Sequence, residues 1–283
     1  MTPSVGLLMQ IKLGLVQLFK RRLVDGVPLV EEALKSGSQI ALLPEKWALE
    51  SEENTVSGDS HPYLKALCEL SSSYESLIIS GALYERSQKG MYITAYVCGK
   101  GEILGKARKM HLFQSEKKGF QRGDKPVVVD YEGLRLGVAV CYDLDFPETV
   151  RLFALLGCDL LLVPAKIVHQ AAQAWMVYVE ARALENRLPI AFANVSQSPY
   201  FRGGSSLVDL QVTGSEASPL VFPRVQQMSE AEGVKVFEVK PEGFRDLRRK
   251  RLSDRNPEVD SLLMETQLQD SLIRNHVSTS DGG

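Results

Sequence analysis

LRLGVAVCYDLDFPE, residues 134–148, sets how the rest of the chain reads. Its run Gly137-Val138-Ala139-Val140 has the composition of a buried strand and stops at Cys141. Two acids, Asp143 and Asp145, follow in a short turn, and Pro147 opens a helical pattern. A thiol carried by a strand to the mouth of a helix meets partial positive charge and free N–H groups, and both favour a thiolate. The plainer account of such a cysteine is a small buried hydrophobe, and Cys68, Cys98 and Cys158 fit that account.

Working outward, apolar runs at 11–18 (IKLGLVQL), 39–44 (QIALLP), 76–84, 91–98, 102–107, 126–129, 159–163, 190–195, 205–210 and 234–239 predict strands. Segments 27–35, 61–75, 147–156 and 167–187 have helical periodicity. Strands alternating with helices define an α/β chain. No fixed-period repeat or low-complexity linker interrupts it. The expected organisation is a single domain over 1–259, followed by a helix over 260–273 and a disordered tail from 276.

A chain of 283 residues can bury roughly three quarters of its unfolded surface. Its net charge of -2 supplies no field that would gather nucleic acid or an anionic membrane. No apolar run reaches the ~20 residues of a membrane span. The positive cluster Lys20-Arg21-Arg22 follows the N-terminal apolar stretch, the reverse of a secretory signal, so a cytoplasmic protein is expected. The four cysteines form no C-x-x-C pair, and His61, His111, His169 and His276 form no H-E-x-x-H pattern, so neither a disulfide framework nor a metal site is expected. The basic run Arg245, Arg248, Arg249, Lys250, Arg251 is interrupted by acids and reads as a solvated or subunit-interface segment.

Three reactive side chains each follow a strand: Glu45 after QIALLP, Lys109 after EILGKA, and Cys141. In α/β sheets ligands gather beyond the carboxyl ends of strands, so the three could converge on one pocket. Only a few per cent of an ordinary thiol is thiolate at neutral pH. Glu45 could take its proton and return one to a leaving amine. Lys109 and the backbone N–H of Tyr142 could stabilise a tetrahedral oxyanion. Singly, each has a bland account: a solvated turn acid for Glu45, a solvated basic face for Lys109.

Taken together, LLPE with Trp47 close behind, then RKMHLF, then GVAVCYDLDFPE, resemble in order the three signature motifs of the carbon–nitrogen hydrolase (nitrilase) superfamily. LLLVPA (160–165), ARALEN (181–186) and GGSSLVD (203–209) extend the resemblance over most of residues 11–255. The resemblance implies a four-layer α-β-β-α sandwich, paired into homodimers or larger homo-oligomers across helices. It implies a triad of Glu45 as general base, Lys109 as oxyanion stabiliser and Cys141 as nucleophile. It also implies a second glutamate, Glu116 in EKKGFQRGD, whose bland alternative is a loop acid beside Lys117 and Lys118. Tyr142, Trp47, Asp145, Ala165 and Lys166 are the expected substrate-binding residues. No cofactor is needed.

The chain also departs from the family pattern. Asp145 stands where members resembling ω-amidases often carry arginine, and an acid there disfavours a substrate carboxylate. Trp175 follows Ala174 rather than a histidine, and His169 lies earlier. The segment after Val212 has no clear counterpart. The expected activity is hydrolysis of a small amide through a cysteine thioester. The alternatives are carbamoyl-amide or nitrile hydrolysis, acyl transfer to an acceptor other than water, a non-catalytic protein retaining the fold, or a redox-sensing thiol at Cys141.

Overall fold

The computed structural model describes residues 10–197, 199–215 and 218–266. In chain order the elements are β1 (Ile11–Gln17), α1 (Leu23–Lys35), β2 (Ile40–Leu42), α2 (Pro62–Ser73), β3 (Leu77–Ser87), β4 (Gly90–Gly99), β5 (Glu102–Arg108), β6 (Val127–Tyr131), β7 (Leu134–Val138), α3 (Pro147–Leu155), β8 (Leu160–Pro164), α4 (Ala172–Asn186), β9 (Ile190–Ala193), β10 (Ser196–Gln197), β11 (Phe201–Arg202), β12 (Ser206–Ser215), β13 (Ser218–Gln227), β14 (Gly233–Val239) and α5 (Arg245–Ser253).

Two six-stranded sheets result, ordered β14-β1-β2-β3-β4-β5 and β13-β12-β9-β8-β7-β6. Each has a parallel centre, β1-β2-β3 in one and β7-β8-β9 in the other, flanked by antiparallel strands. The parallel strands are dominantly apolar because both of their faces are covered, with exposed Lys12 and Arg135 interrupting β1 and β7 near their starts. β1 lies against β9 and β2 against β8, so the sheets stack face to face. Helices α1 and α2 cover the outer face of the first sheet, and α4 that of the second, with α3 packed beside α4. The result is the four-layer α-β-β-α sandwich.

Local chemistry moves several boundaries. The spacing predicts a helix from residue 27, where Pro28 suits a first turn. The helix instead starts at Leu23, because Asp25 accepts the Arg22 N–H at 3.2 Å and Asn54 Oδ1 accepts the Leu23 N–H at 2.9 Å. The helix predicted over 167–187 starts late. Ile167 and Val168 precede a short 3-10 turn, with the Ile167 N–H donating to Asn194 Oδ1 at 2.8 Å. Strand β13 has no counterpart in the sequence reading. Pro219 and Pro223 obscure its pattern, and it occupies a sheet edge, where a missing N–H is tolerated.

The chain divides into two compact units between Arg248 and Arg249. Arg245 and Arg248 are not a solvated basic run. Their guanidinium groups lie 2.6 Å and 2.8 Å from opposite oxygens of buried Asp159, and Arg248 also donates to the Arg187 carbonyl. The smaller unit is helical again from 257 to 266 and carries an Arg255–Asp260 ion pair. The rest of the predicted 260–273 helix and the predicted tail lie outside the described residues. Among the described residues no helix is long and apolar enough to cross a membrane.

Candidate active site

The carboxyl end of β2 delivers Glu45. Its N–H donates to the Ala165 carbonyl just past β8 at 3.1 Å, so the two sheets meet at this residue. Lys46 follows with φ +46° and its N–H on the Ala82 carbonyl at 2.7 Å. The left-handed Lys46 breaks strand alternation, so two adjacent side chains share one side. Glu45 and Lys46 enter a cavity of about 210 Å³, while Trp47 enters the core. The Trp47 indole donates to the Ser80 carbonyl at 3.1 Å and packs edge-on against Tyr63. Gly81, at φ +77°, allows this: a Cβ there would lie 2.3 Å from the Pro44 carbonyl oxygen and 2.6 Å from the Trp47 Nε1. Trp47 therefore shapes the Glu45 turn and does not line the cavity, contrary to the expected substrate contact.

Lys109 follows β5 and is 1% exposed. Its Nζ lies 2.7 Å from Glu45 Oε1 and 2.9 Å from Glu116 Oε2. Burial opposes the ammonium form, but Glu45, Cys141 and Glu116 together outweigh it and hold the Lys109 pKa well above its ordinary value. Glu116 sits on the 3-10 segment Gln114–Lys118 and accepts the Phe113 N–H at 2.8 Å. It also pairs with Lys46. Despite burial, Lys109 and Lys46 hold its carboxyl below the usual range. Glu116 thus joins the buried charges around Lys109 and is not a solvated loop acid.

Cys141 is 7% exposed and opens the five-residue 3-10 segment Cys141–Asp145. Its φ of +45° is left-handed, which costs a non-glycine residue about 1–2 kcal/mol. Asp143 holds the strained turn. Its own N–H donates to the Val140 carbonyl, and its Oδ2 accepts the Val140 N–H at 2.9 Å. Burial, and then the nearby Glu45 carboxylate, push the Cys141 thiol well above its ordinary value, with Lys109 opposing. The helix mouth expected to favour a thiolate is therefore outweighed by desolvation. The Lys166 backbone N–H also favours the thiolate, but less than burial and Glu45 oppose it.

Tyr142, Asp145 and Lys166 line the same cavity, with Phe113, Trp175 and Tyr178 among its aromatic walls. Ala165 does not line it; its carbonyl anchors Glu45 instead. Asp145 does not pair within its turn. Arg182 donates to the Leu144 and Asp145 carbonyls at 3.1 and 2.9 Å, and Asp145 lines the cavity.

Two site residues escaped the sequence reading. Lys46 was hidden beside Glu45, where strand alternation would have turned it away. Asp143 was visible only as one of two turn acids. It is buried and accepts the backbone N–H groups of Met110 and His111, at 3.1 and 2.8 Å, and the His111 ring.

A family model described as carbon-nitrogen hydrolase matches residues 19–217. The chain belongs to the carbon–nitrogen hydrolase family. It is similar to the chloroplastic omega-amidase of Arabidopsis thaliana, 32% identical over 209 residues, 65% of this chain and 57% of that protein. It is also similar to the omega-amidase NIT2 of Bos taurus, 30% identical over 70% of this chain and 78% of that protein. The matched stretches span 50% to 63% of the first three curated relatives. Among solved structures, an amidase from Nesterenkonia sp. superposes with a TM-score of 0.70 at 26% identity, covering 92% of this chain and 100% of that one. Saccharomyces cerevisiae Nit3 superposes with a TM-score of 0.72 at 22% identity, covering 87% and 97%.

Proposed function

We propose that this chain hydrolyses the carbon–nitrogen bond of a small amide through a thioester on Cys141. The observation that carries the reading is the buried contact of Lys109 with Glu45 and Glu116 at the cavity that also holds the Cys141 sulfur. Named relatives that are amidases and omega-amidases support the same reaction class.

Each residue then has a task. Cys141 rests as a thiol in the cavity it shares with Glu45. As the sulfur attacks the amide carbon, Glu45 takes the thiol proton and the S–C bond forms. The oxygen becomes an anion between the Lys109 ammonium and the Tyr142 backbone N–H; one such donor is worth about 3–4 kcal/mol of barrier. Glu45 passes the proton to the leaving nitrogen, the C–N bond breaks, and ammonia or an amine departs. Water then gives a proton to Glu45 and attacks the thioester, and the proton returns to sulfur as the acid leaves. Glu116 keeps Lys109 charged and aimed at the oxyanion, and Lys46 neutralises Glu116.

The redox-sensing alternative needs an accessible thiolate, which the burial and the raised pKa of Cys141 oppose. Pairing of two copies across α3 and α4 is favoured by exposed Leu152, Leu155 and Val177 on those helices. The unpaired cysteines suit a reducing cytoplasm.

An ammonia-release screen over amides, carbamoyl compounds and nitriles, with Cys141→Ala as control, tests the reading. Amide turnover that disappears in the variant is expected. Turnover confined to nitriles, or unchanged by the substitution, contradicts it.

A further inference from the structure

The charged groups around the cavity divide into those paired with opposite charges and two, Lys166 and Asp145, that are not. Lys109 and Lys46 are matched by Glu45 and Glu116 through contacts of 3.1 Å or less. Lys166, the remaining cation, sits over aromatic faces, with its Nζ 4.7 Å from the Phe19 ring centre and 5.4 Å from that of Phe201. The Asp145 carboxylate has no hydrogen-bond or ion-pair partner among the described residues. Arg182, on the adjacent α4, spends its guanidinium on the Leu144 and Asp145 carbonyls and on Glu185.

Asp145 is half-buried and feels Arg182 and Lys109 only at a distance, so a cation entering the cavity would be its first direct partner. Burial pushes the Asp145 carboxyl above the usual carboxylate range, with Arg182 and Lys109 opposing. The neighbouring surfaces point to the same ligand. Tyr142, Trp175 and Tyr178 line the cavity with Asp145, and aromatic faces attract cations. A substrate carboxylate would meet a like charge here, whereas a substrate ammonium would meet an acceptor and π faces together.

Resting on the amidase reading, we propose that Asp145 is a specificity-determining residue that receives an ammonium group. The preferred substrate is a small amide with a short apolar chain between its scissile carbonyl and a protonated amine. Asp145 contributes to binding that amine and takes no part in bond breaking.

Calorimetric binding to the full-length Cys141→Ala protein tests the assignment without requiring turnover. Three probes of similar length differ in their far end: 5-aminopentanamide (ammonium), hexanamide (methyl) and glutaric acid monoamide (carboxylate). The ammonium amide is expected to bind at least ten-fold tighter than hexanamide, with the carboxylate amide weakest. In Cys141→Ala/Asp145→Asn the ammonium advantage should fall below three-fold, with the melting temperature reported alongside. Equal binding of ammonium and methyl probes, no binding by any probe, or tightest binding of the carboxylate amide overturns the proposal. The comparison of probes on the parent protein is decisive even if the double variant does not fold. Ammonia release from the same probes by the wild-type chain is read separately. Turnover of hexanamide without an ammonium preference leaves the amidase reading standing and removes Asp145 from it.

Discussion

The backbone N–H of His111 donates to Asp143 Oδ1 at 2.8 Å, tying the loop that carries Lys109 to the turn that carries Cys141. The same carboxylate takes the Met110 and Val140 N–H groups, so one buried side chain sets the separation of ammonium and thiol. Asp143 touches no substrate; it acts by position.

Replacing Asp143 with Ala should therefore strand three backbone donors, each costing about 1–3 kcal/mol. The expected result is a loss of at least about 3 kcal/mol in denaturant unfolding. kcat should fall by ten-fold or more while KM changes little, because the displaced groups act on the transition state. A variant of wild-type stability and kcat would show that the two loops hold their places without this carboxylate.

The pH dependence of Cys141 alkylation follows from its raised pKa. An ordinary thiol titrates near 8.5. Burial and Glu45 hold the Cys141 thiol above that, so the rate of iodoacetamide labelling at the Cys141 peptide should keep climbing beyond pH 8.5 without a plateau. In Glu45→Gln the climb should shift to lower pH, because one of the charges opposing the thiolate is gone. A labelling plateau with a midpoint between about pH 5 and 7 would mean a resting thiolate instead.

Asp159 contributes to the acid dependence of stability. Although burial opposes its charge, Arg245 and Arg248 hold its carboxyl below the ordinary value. A depressed carboxyl contributes stability above its unfolded pKa of about 3.9 and loses it as pH falls through the folded value. Asp159→Asn leaves Arg248 buried without its partner and should cost about 3–5 kcal/mol at pH 7. The gap from wild type, followed by chemical denaturation, should narrow below about pH 4. A gap that is small at pH 7 or constant with pH would remove Asp159 from this role.

The strands and the meeting of Glu45, Lys109 and Cys141 at one cavity were legible in the sequence because both obey local rules. Buried parallel strands are dominantly apolar, and Glu45, Lys109 and Cys141 each follow a strand end. The misreadings arose where partners are distant in sequence. Trp47 follows Glu45 by two residues, yet its direction depends on a close approach at Gly81. Asp143 is one acid among two until Met110 and His111 are brought to it. Arg248 looks like part of a solvated charge run until Asp159 is placed beneath it. Strand β13 was hidden for a different reason, since its prolines are compatible with a strand only at a sheet edge.

The central claim, that Cys141 carries the acyl group, is tested most directly by intact-protein and peptide mass spectrometry during turnover of an amide. The account predicts an adduct equal to the acyl group, confined to the Cys141 peptide, labile to hydroxylamine and absent in Cys141→Ala. Amide hydrolysis at an undiminished rate in Cys141→Ala would contradict it.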